Sequence, residues 1–252
     1  MTPNYAQLLK KIKEIGDAIH KFSGKAPDIG VSKKRLTEHD IKTERELCTF
    51  IQSIDKDAIF FAEEEHEKSK ESKNLRIIDP ISNTFNFIHG LPHYSVCISH
   101  MLAGEMVFAV VYDPSMQELF HAEKGKGTYL NGQKIHVSNT TTDLSIIVGP
   151  HLMPINQEKN EKVIQIINKF CKLGTIRMLG SLGIHYAYVA CGRAECTISL
   201  PKDIFPEMTG KLLVEEAGGT FTDFAGNQVG LESTSIIASN KLVHAMILEK
   251  LK

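Results

Sequence analysis

The sequence predicts an α/β protein of the α+β type, and three observations lead there. Apolar residues recur at helical spacing near the N-terminus. Extended β-branched and aromatic runs, punctuated by turn signals, fill residues 58–137. From residue 144 onward strands alternate with helices. The pattern divides the chain into an N-terminal α+β part, residues 1–140, with a largely antiparallel sheet, and a smaller C-terminal α/β part, residues 141–252. No repeat, low-complexity stretch or flexible linker separates them, so one compact unit is expected.

Tyr5, Leu8, Leu9, Ile12, Ile15, Ile19 and Phe22 mark the first helix, with Thr2 and Pro3 as start signals and Gly24 as its stop. A polar, basic loop follows over residues 25–36. Thr37-Glu38-His39-Asp40 has capping-box character and opens a second helix to about residue 53. Residues 58–62 and 75–79 read as buried strands, and the charged stretch 63–73 between them as an exposed loop. The second strand delivers Asp79 into a tight turn fixed by Pro80. A short helix follows, its first backbone N–H groups belonging to Asn83 and Thr84. Strands are predicted over 94–102 and 106–112, then 118–121 and 127–130. Asn131-Gly132 is a two-residue hairpin signal leading into 134–137. The second half places strands at 144–149, 175–178, 195–199, 220–223 and 234–238. Its helices fall near 157–171, 181–191 and 205–217 and at the C-terminus.

Composition narrows the function classes. The 252 residues carry a net charge of −1 and a 42% hydrophobic fraction, enough for a substantial core and neutral toward polyanions. No helix shows a basic face, and the run Lys33-Lys34-Arg35 reads as a solvated loop, so direct nucleic-acid binding is not expected. The five cysteines are scattered and mostly within apolar stretches, which fits reduced thiols in a cytoplasmic protein. The eleven histidines are dispersed without ligand spacing. Charges interrupt the first helix, so it does not read as a signal peptide, and no run reaches membrane-spanning length.

The chemistry concentrates in Leu75-Arg76-Ile77-Ile78-Asp79-Pro80-Ile81-Ser82-Asn83-Thr84. A strand-end carboxylate beside a helix start can bring a cation and a phosphate together. The run resembles the Asp-Pro-Ile-Asp-Gly-Thr signature of the inositol monophosphatase family, here closest in kind to its bacterial extragenic-suppressor-like members. Other segments resemble the family in the same order. They are Thr37 to Asp40, Phe60-Phe61-Ala62-Glu63-Glu64, Gly125 through Gly132, Gly180-Ser181 with the helix behind it, and Leu213-Val214-Glu215-Glu216-Ala217-Gly218-Gly219. The resemblance implies a layered αβαβα sandwich.

By the same resemblance, Glu63, Asp79 and the Ile81 carbonyl would hold one Mg²⁺, while Asp40 and Thr84 would activate the attacking water, with Glu63 sharing the catalytic site. At the helix start, phosphate would meet Ser82, Asn83 and Thr84, with Ser199 as a further substrate-binding position. The second ion is a different matter. Ser82 stands where the family has its second Asp. Ten positions before Glu216, Pro206 stands where it has a third, with Phe205 at the preceding Trp. Ser199, seven residues earlier, replaces a Glu that binds sugar hydroxyls in the inositol phosphatases. Asp203 and Glu207 lie near, but Glu207 is one residue, about 100°, further around a helix and is expected to point elsewhere. One ion at most is therefore expected.

The expected function is a phosphate-ligand-binding or regulatory protein, catalytically weak or inactive. The competing expectation is a divergent Mg²⁺-dependent phosphomonoesterase acting on a sugar, inositol or nucleotide phosphate. The resemblance also implies a homodimer and a protein partner.

Overall fold

The computed structural model describes residues 5–31, 35–65, 72–149, 152, 157–200 and 204–252. Thr2, Pro3, Lys33, Lys34, Asp203 and much of the 63–73 loop lie outside the described residues. Two helices lead, α1 (Tyr5–His20) and α2 (Glu38–Ile54). The first sheet runs in chain order through β1 (Ile59–Ala62), β2 (Asn74–Ser82), β3 (Ser95–Leu102), β4 (Glu105–Asp113), β5 (Glu118–Glu123), β6 (Gly127–Leu130) and β7 (Gln133–Ile135). The short helix α3 (Thr84–His89) separates β2 from β3. The second sheet has the order β11-β12-β10-β8-β9, built from β8 (Leu144–Gly149), β9 (Gly174–Arg177), β10 (Cys196–Ser199), β11 (Thr220–Thr222) and β12 (Ile236–Ser239). Helices α4 (Gln157–Phe170), α5 (Leu182–Ala190), α6 (Phe205–Glu216) and α7 (His244–Leu251) complete it.

Three apolar clusters stack these elements into five layers. Leu8, Ile12, Leu47 and Ile51 of α1 and α2 pack on Ile78, Ile98 and Tyr112 on one face of the first sheet. Ile184 and Val189 of α5 and Met208 and Leu213 of α6 fill the space between Ile77 and Val111 of the first sheet and Ile147 and Ile236 of the second. Val163, Phe170 and Ile247 of α4 and α7 cover Ile146, Val148 and Ile237 on the far face. Adjacent residues such as Ile77 and Ile78, or Ile146 and Ile147, thus serve opposite layers, as the two-residue period of a strand requires. Helix α6 is squeezed between two sheets, which is why every residue from Phe205 to Gly210 is buried.

The predicted strands and helices are found within a few residues of their expected ends, with three differences. Helix α1 stops at His20, ahead of Gly24, whose N–H donates to the Phe87 carbonyl of α3 at 2.9 Å. The pair β1–β2 is parallel, in an otherwise antiparallel sheet. The chain does not turn at Pro80. Strand β2 runs on to Ser82, with an irregularity after Asp79: Asp79 and Ser82 are three residues apart, but their partners Cys97 and Ser95 are two apart, so β2 carries one extra residue. A bulge is where a sheet tolerates proline, which has no N–H for the ladder.

Candidate functional site

The site begins at the parallel edge. Ala62 pairs with Ile78, and the Glu63 N–H continues the ladder by donating to the Ile78 carbonyl at 3.2 Å. This register carries Glu63 alongside Asp79 on the face that looks toward α6, where the Phe61 ring packs on Phe205 with centroids 4.6 Å apart. Asp79 is buried at 3% exposure, and Glu63 is half-buried.

Beyond the bulge the backbone swings into α3 through Asn83, whose φ of 70° is left-handed. Asparagine tolerates that region better than other side-chain-bearing residues, so Asn83 can occupy a glycine-like position. Its amide donates to the His93 carbonyl at 3.3 Å. The neighbouring Gly180 makes room for it: a Cβ there would sit 2.1 Å from the Asn83 amide nitrogen, and its φ of +121° already favours glycine.

Three of the predicted residues meet in one hydrogen-bonded group. Asp40 is fully buried. One of its oxygens accepts from the Thr37 N–H at 2.7 Å and the Thr37 hydroxyl at 2.6 Å. The bond from the Thr37 N–H is one half of the capping box that starts α2; the Thr37 side chain, accepting from the Asp40 N–H, supplies the other. The other oxygen lies 3.0 Å from the Thr84 hydroxyl, which is also 3.1 Å from the Ile81 carbonyl. Burial pushes the Asp40 carboxyl up to about 6, against the pull of its bonds to Thr37, and the nearby Glu64 charge adds to the rise. A hydroxyl that donates to a carboxylate keeps lone pairs free to accept a proton from a water, so this arrangement suits base-assisted activation.

Toward α6 and the second sheet the chain carries Ser82, Pro206, Glu207 and Ser199, all buried. Ser82 is buried and opposite Ser95 in the ladder, and the Ser95 hydroxyl bonds that of Ser181 at 2.8 Å. Pro206 sits in the first turn of α6, where its missing N–H costs nothing. Ser199 ends β10 fully buried; among the described residues its hydroxyl has no hydrogen-bond partner, and no bond joins it to the Asp40–Thr84 group. Glu207, one residue further along α6, is enclosed as well. It is fully buried, and its charge, like that of Asp79, helps to hold the Cys97 thiol well above its ordinary range, although burial is the larger cause. With both sides of α6 covered, a rotation of 100° does not lead to solvent.

Glu44 belongs to the site although no sequence motif singles it out. It lies one turn after Asp40 on α2, is fully buried, and accepts from the N–H groups of Glu64 at 2.7 Å and Glu65 at 2.8 Å. A signal is present, since Glu44 falls in the buried helical series with Leu47, Cys48 and Ile51, where an apolar residue is the default.

Two carboxylates and a carbonyl, from Glu63, Asp79 and Ile81, form an oxygen donor set of the kind Mg²⁺ takes, leaving the remaining positions to water. Among the described residues no group of three or more His, Cys, Asp or Glu side chains is arranged to hold a metal. A site for one ion that uses a carbonyl fits these residues.

The sequence pattern of the inositol monophosphatase family matches residues 7–252. The chain is 31% identical over 239 residues to a fructose-1,6-bisphosphatase/inositol-1-monophosphatase of Thermotoga maritima, across 94% of this chain and 91% of that protein. It is 37% identical over 174 residues to the Nus factor SuhB of Salmonella typhimurium, across 68% and 65% of the two chains. An inositol monophosphatase structure from Thermotoga maritima superposes with a TM-score of 0.89 at 28% identity, covering 98% of this chain and 96% of that one. The extragenic suppressor protein suhB of Bartonella henselae gives 0.88 at 26% identity, covering 97% and 96%.

Proposed function

As this chain belongs to the inositol monophosphatase family, we propose that it binds a phosphorylated small molecule beside Asp79 and hydrolyses it weakly or not at all. What supports this reading is the sequence: Ser82 and Pro206 stand where the family has carboxylates, and neither can neutralise charge on a leaving oxygen. Glu63, Asp79 and the Ile81 carbonyl hold one Mg²⁺, and the phosphate lies against Ser82, Asn83 and Thr84, with Ser199 toward the rest of the ligand. A bound Mg²⁺ offsets phosphoryl charge and acidifies a coordinated water. Thr84 orients a water, and Asp40, once ionised, draws the Thr84 hydroxyl proton toward itself. Loss of one preorganised electrostatic element costs about 10²–10³ in rate, and two are missing here.

The protein would then act as a binding or regulatory component. Relatives named Nus factor SuhB favour a protein partner, and homodimerisation is part of the proposal. The five cysteines are all free, which suits a reducing cytoplasm. Among the described residues no helix is long and apolar enough to cross a membrane.

A second reading, a divergent Mg²⁺-dependent phosphomonoesterase, is favoured by the Thr84–Asp40 contact of 3.0 Å. Phosphate release from inositol 1-phosphate, fructose 1,6-bisphosphate and adenosine 3′,5′-bisphosphate at millimolar Mg²⁺ separates the two. The binding reading expects a silent parent and turnover in the double variant Ser82→Asp with Pro206→Asp. Clear turnover in the parent, abolished by Asp79→Asn, selects the phosphatase.

A further inference from the structure

We propose that Glu44 is a positioning residue that fixes the Glu63 carboxylate against Asp79, an inference that rests on reading Glu63 as a cation ligand. Glu63 is the last residue to extend the β1 ladder before the chain leaves the sheet. The turn after it must hold its direction, because a carboxylate on a loose turn loses entropy each time it binds an ion. The next two N–H groups, of Glu64 and Glu65, are both captured by the Glu44 carboxylate, one per oxygen, at 2.7 and 2.8 Å. Bonds from backbone N–H to a carboxylate are charge-assisted and stronger than their neutral counterparts.

Glu44 is fully buried on a helix whose next inward positions are Leu47 and Ile51. A residue that served only the fold would be apolar there, since burying a charge is costly even when it is hydrogen-bonded. The outer side of the same turn is tied to the same helix. Arg45 clasps the Glu65 carboxylate with two nitrogens, at 2.7 and 2.6 Å. Helix α2 therefore carries the base-side carboxylate Asp40, the anchor Glu44 one turn later, and the adjacent clasp. It acts as a single rigid gauge between the group that would activate water and the group that would hold the cation. Preorganised partners of a metal ligand set its affinity as much as the ligand does.

The test is Mg²⁺ titration by calorimetry on the full chain, with amide exchange at Glu64 and Glu65 followed by NMR in metal-free protein. Glu44→Gln keeps the side-chain shape but turns one acceptor into a donor. It is expected to release one of the two amides to faster exchange and to weaken Mg²⁺ about tenfold, with the melting temperature of the metal-free protein changed much less. Arg45→Ala removes only the outer clasp and is expected to weaken Mg²⁺ by no more than about threefold. Should Glu44→Gln fail to fold, Glu44→Asp, too short to reach both amides, takes its place. Parent and Glu44 variants with the same Mg²⁺ affinity overturn the positioning role. Mg²⁺ affinity that falls only in proportion to a loss of overall stability reduces Glu44 to a structural residue and overturns it as well. A parent that shows no Mg²⁺ binding at all overturns the reading of Glu63 on which the inference stands, and that outcome is distinct from the other two.

Discussion

The two sides of Asp79 are built differently. Toward α2, Asp40, Thr37, Thr84 and the Ile81 carbonyl form a closed hydrogen-bonded group, and Glu44 secures the neighbouring turn. Toward α6 and the second sheet stand Ser82, Pro206, the buried Glu207 and Ser199, and among the described residues the Ser199 hydroxyl has no hydrogen-bond partner. On the proposed reading, one half of the site keeps its hydrogen-bonded frame while the other has exchanged its family carboxylates for Ser82 and Pro206. Asp40 also caps a helix, so its loss would cost stability as well as chemistry. Pro206 suits a helix start better than most residues, so nothing in the fold resists it.

Asp79 belongs to both sides and offers the severest test of this asymmetry. Asp79→Asn is expected to reduce Mg²⁺ affinity and any residual turnover by at least about 10²-fold. A variant that binds Mg²⁺ as the parent does, by calorimetry, would remove the premise of a one-ion site. Asp40 provides the next effect. Its carboxyl is raised from 3.8 to about 6 in the folded protein, so folding favours the protonated form. The stability from this group is fully present below about pH 4 and is lost as pH rises through 6. Denaturant unfolding across pH 4–7 should show the parent losing about 3 kcal/mol that Asp40→Asn does not lose. Any turnover should move the opposite way, rising with pH through about 6 as Asp40 ionises.

Smaller effects contrast the two sides directly. Thr84→Ala removes a bond to a buried carboxylate and is expected to destabilise the protein by about 1–2 kcal/mol in chemical denaturation. Ser199→Ala removes a buried hydroxyl that bonds nothing among the described residues, and is expected to be neutral or to stabilise by up to about 1 kcal/mol. If the serine change proves the costlier of the two, the assignment of the well-built side is wrong.

Most of the fold is legible in the sequence because most of it is periodic. Strands 106–112 and 144–149 show their burial in their residue types, and the Asn131-Gly132 turn fixes a hairpin by its backbone demands. The Asp40–Thr84 meeting is legible only through resemblance, since no local rule links residues 44 positions apart. The features that escape depend on tertiary surroundings. Pro80 looks like a turn residue until a neighbouring strand pairs on either side of it. The burial of Glu207 is not legible until a second sheet closes over α6. Glu44 looks like any helix glutamate until the residues around it prove to be core.

The extra residue in β2 has a consequence for inheritance by insertion and deletion. Leu75 and Ile77 face the central layer and Ile78 the outer one, yet Ile81 joins Ile78 in the outer layer. A regular strand would have put Ile81 back beside Asp79. The bulge works as a frame shift written in facing instead of codons: Asp79 and Ser82 share the face of Cys97 and Ser95 although three residues apart, with Ile81 outward between them. Deleting Pro80 would restore the ladder's beat with Ile81 still outward and Ser82 still opposite Ser95, so the side chains beyond the bulge would keep their faces. A lineage could drop the extra residue and keep the facing, whereas gaining or losing one residue between Leu75 and Asp79 would turn Asp79 toward the outer layer.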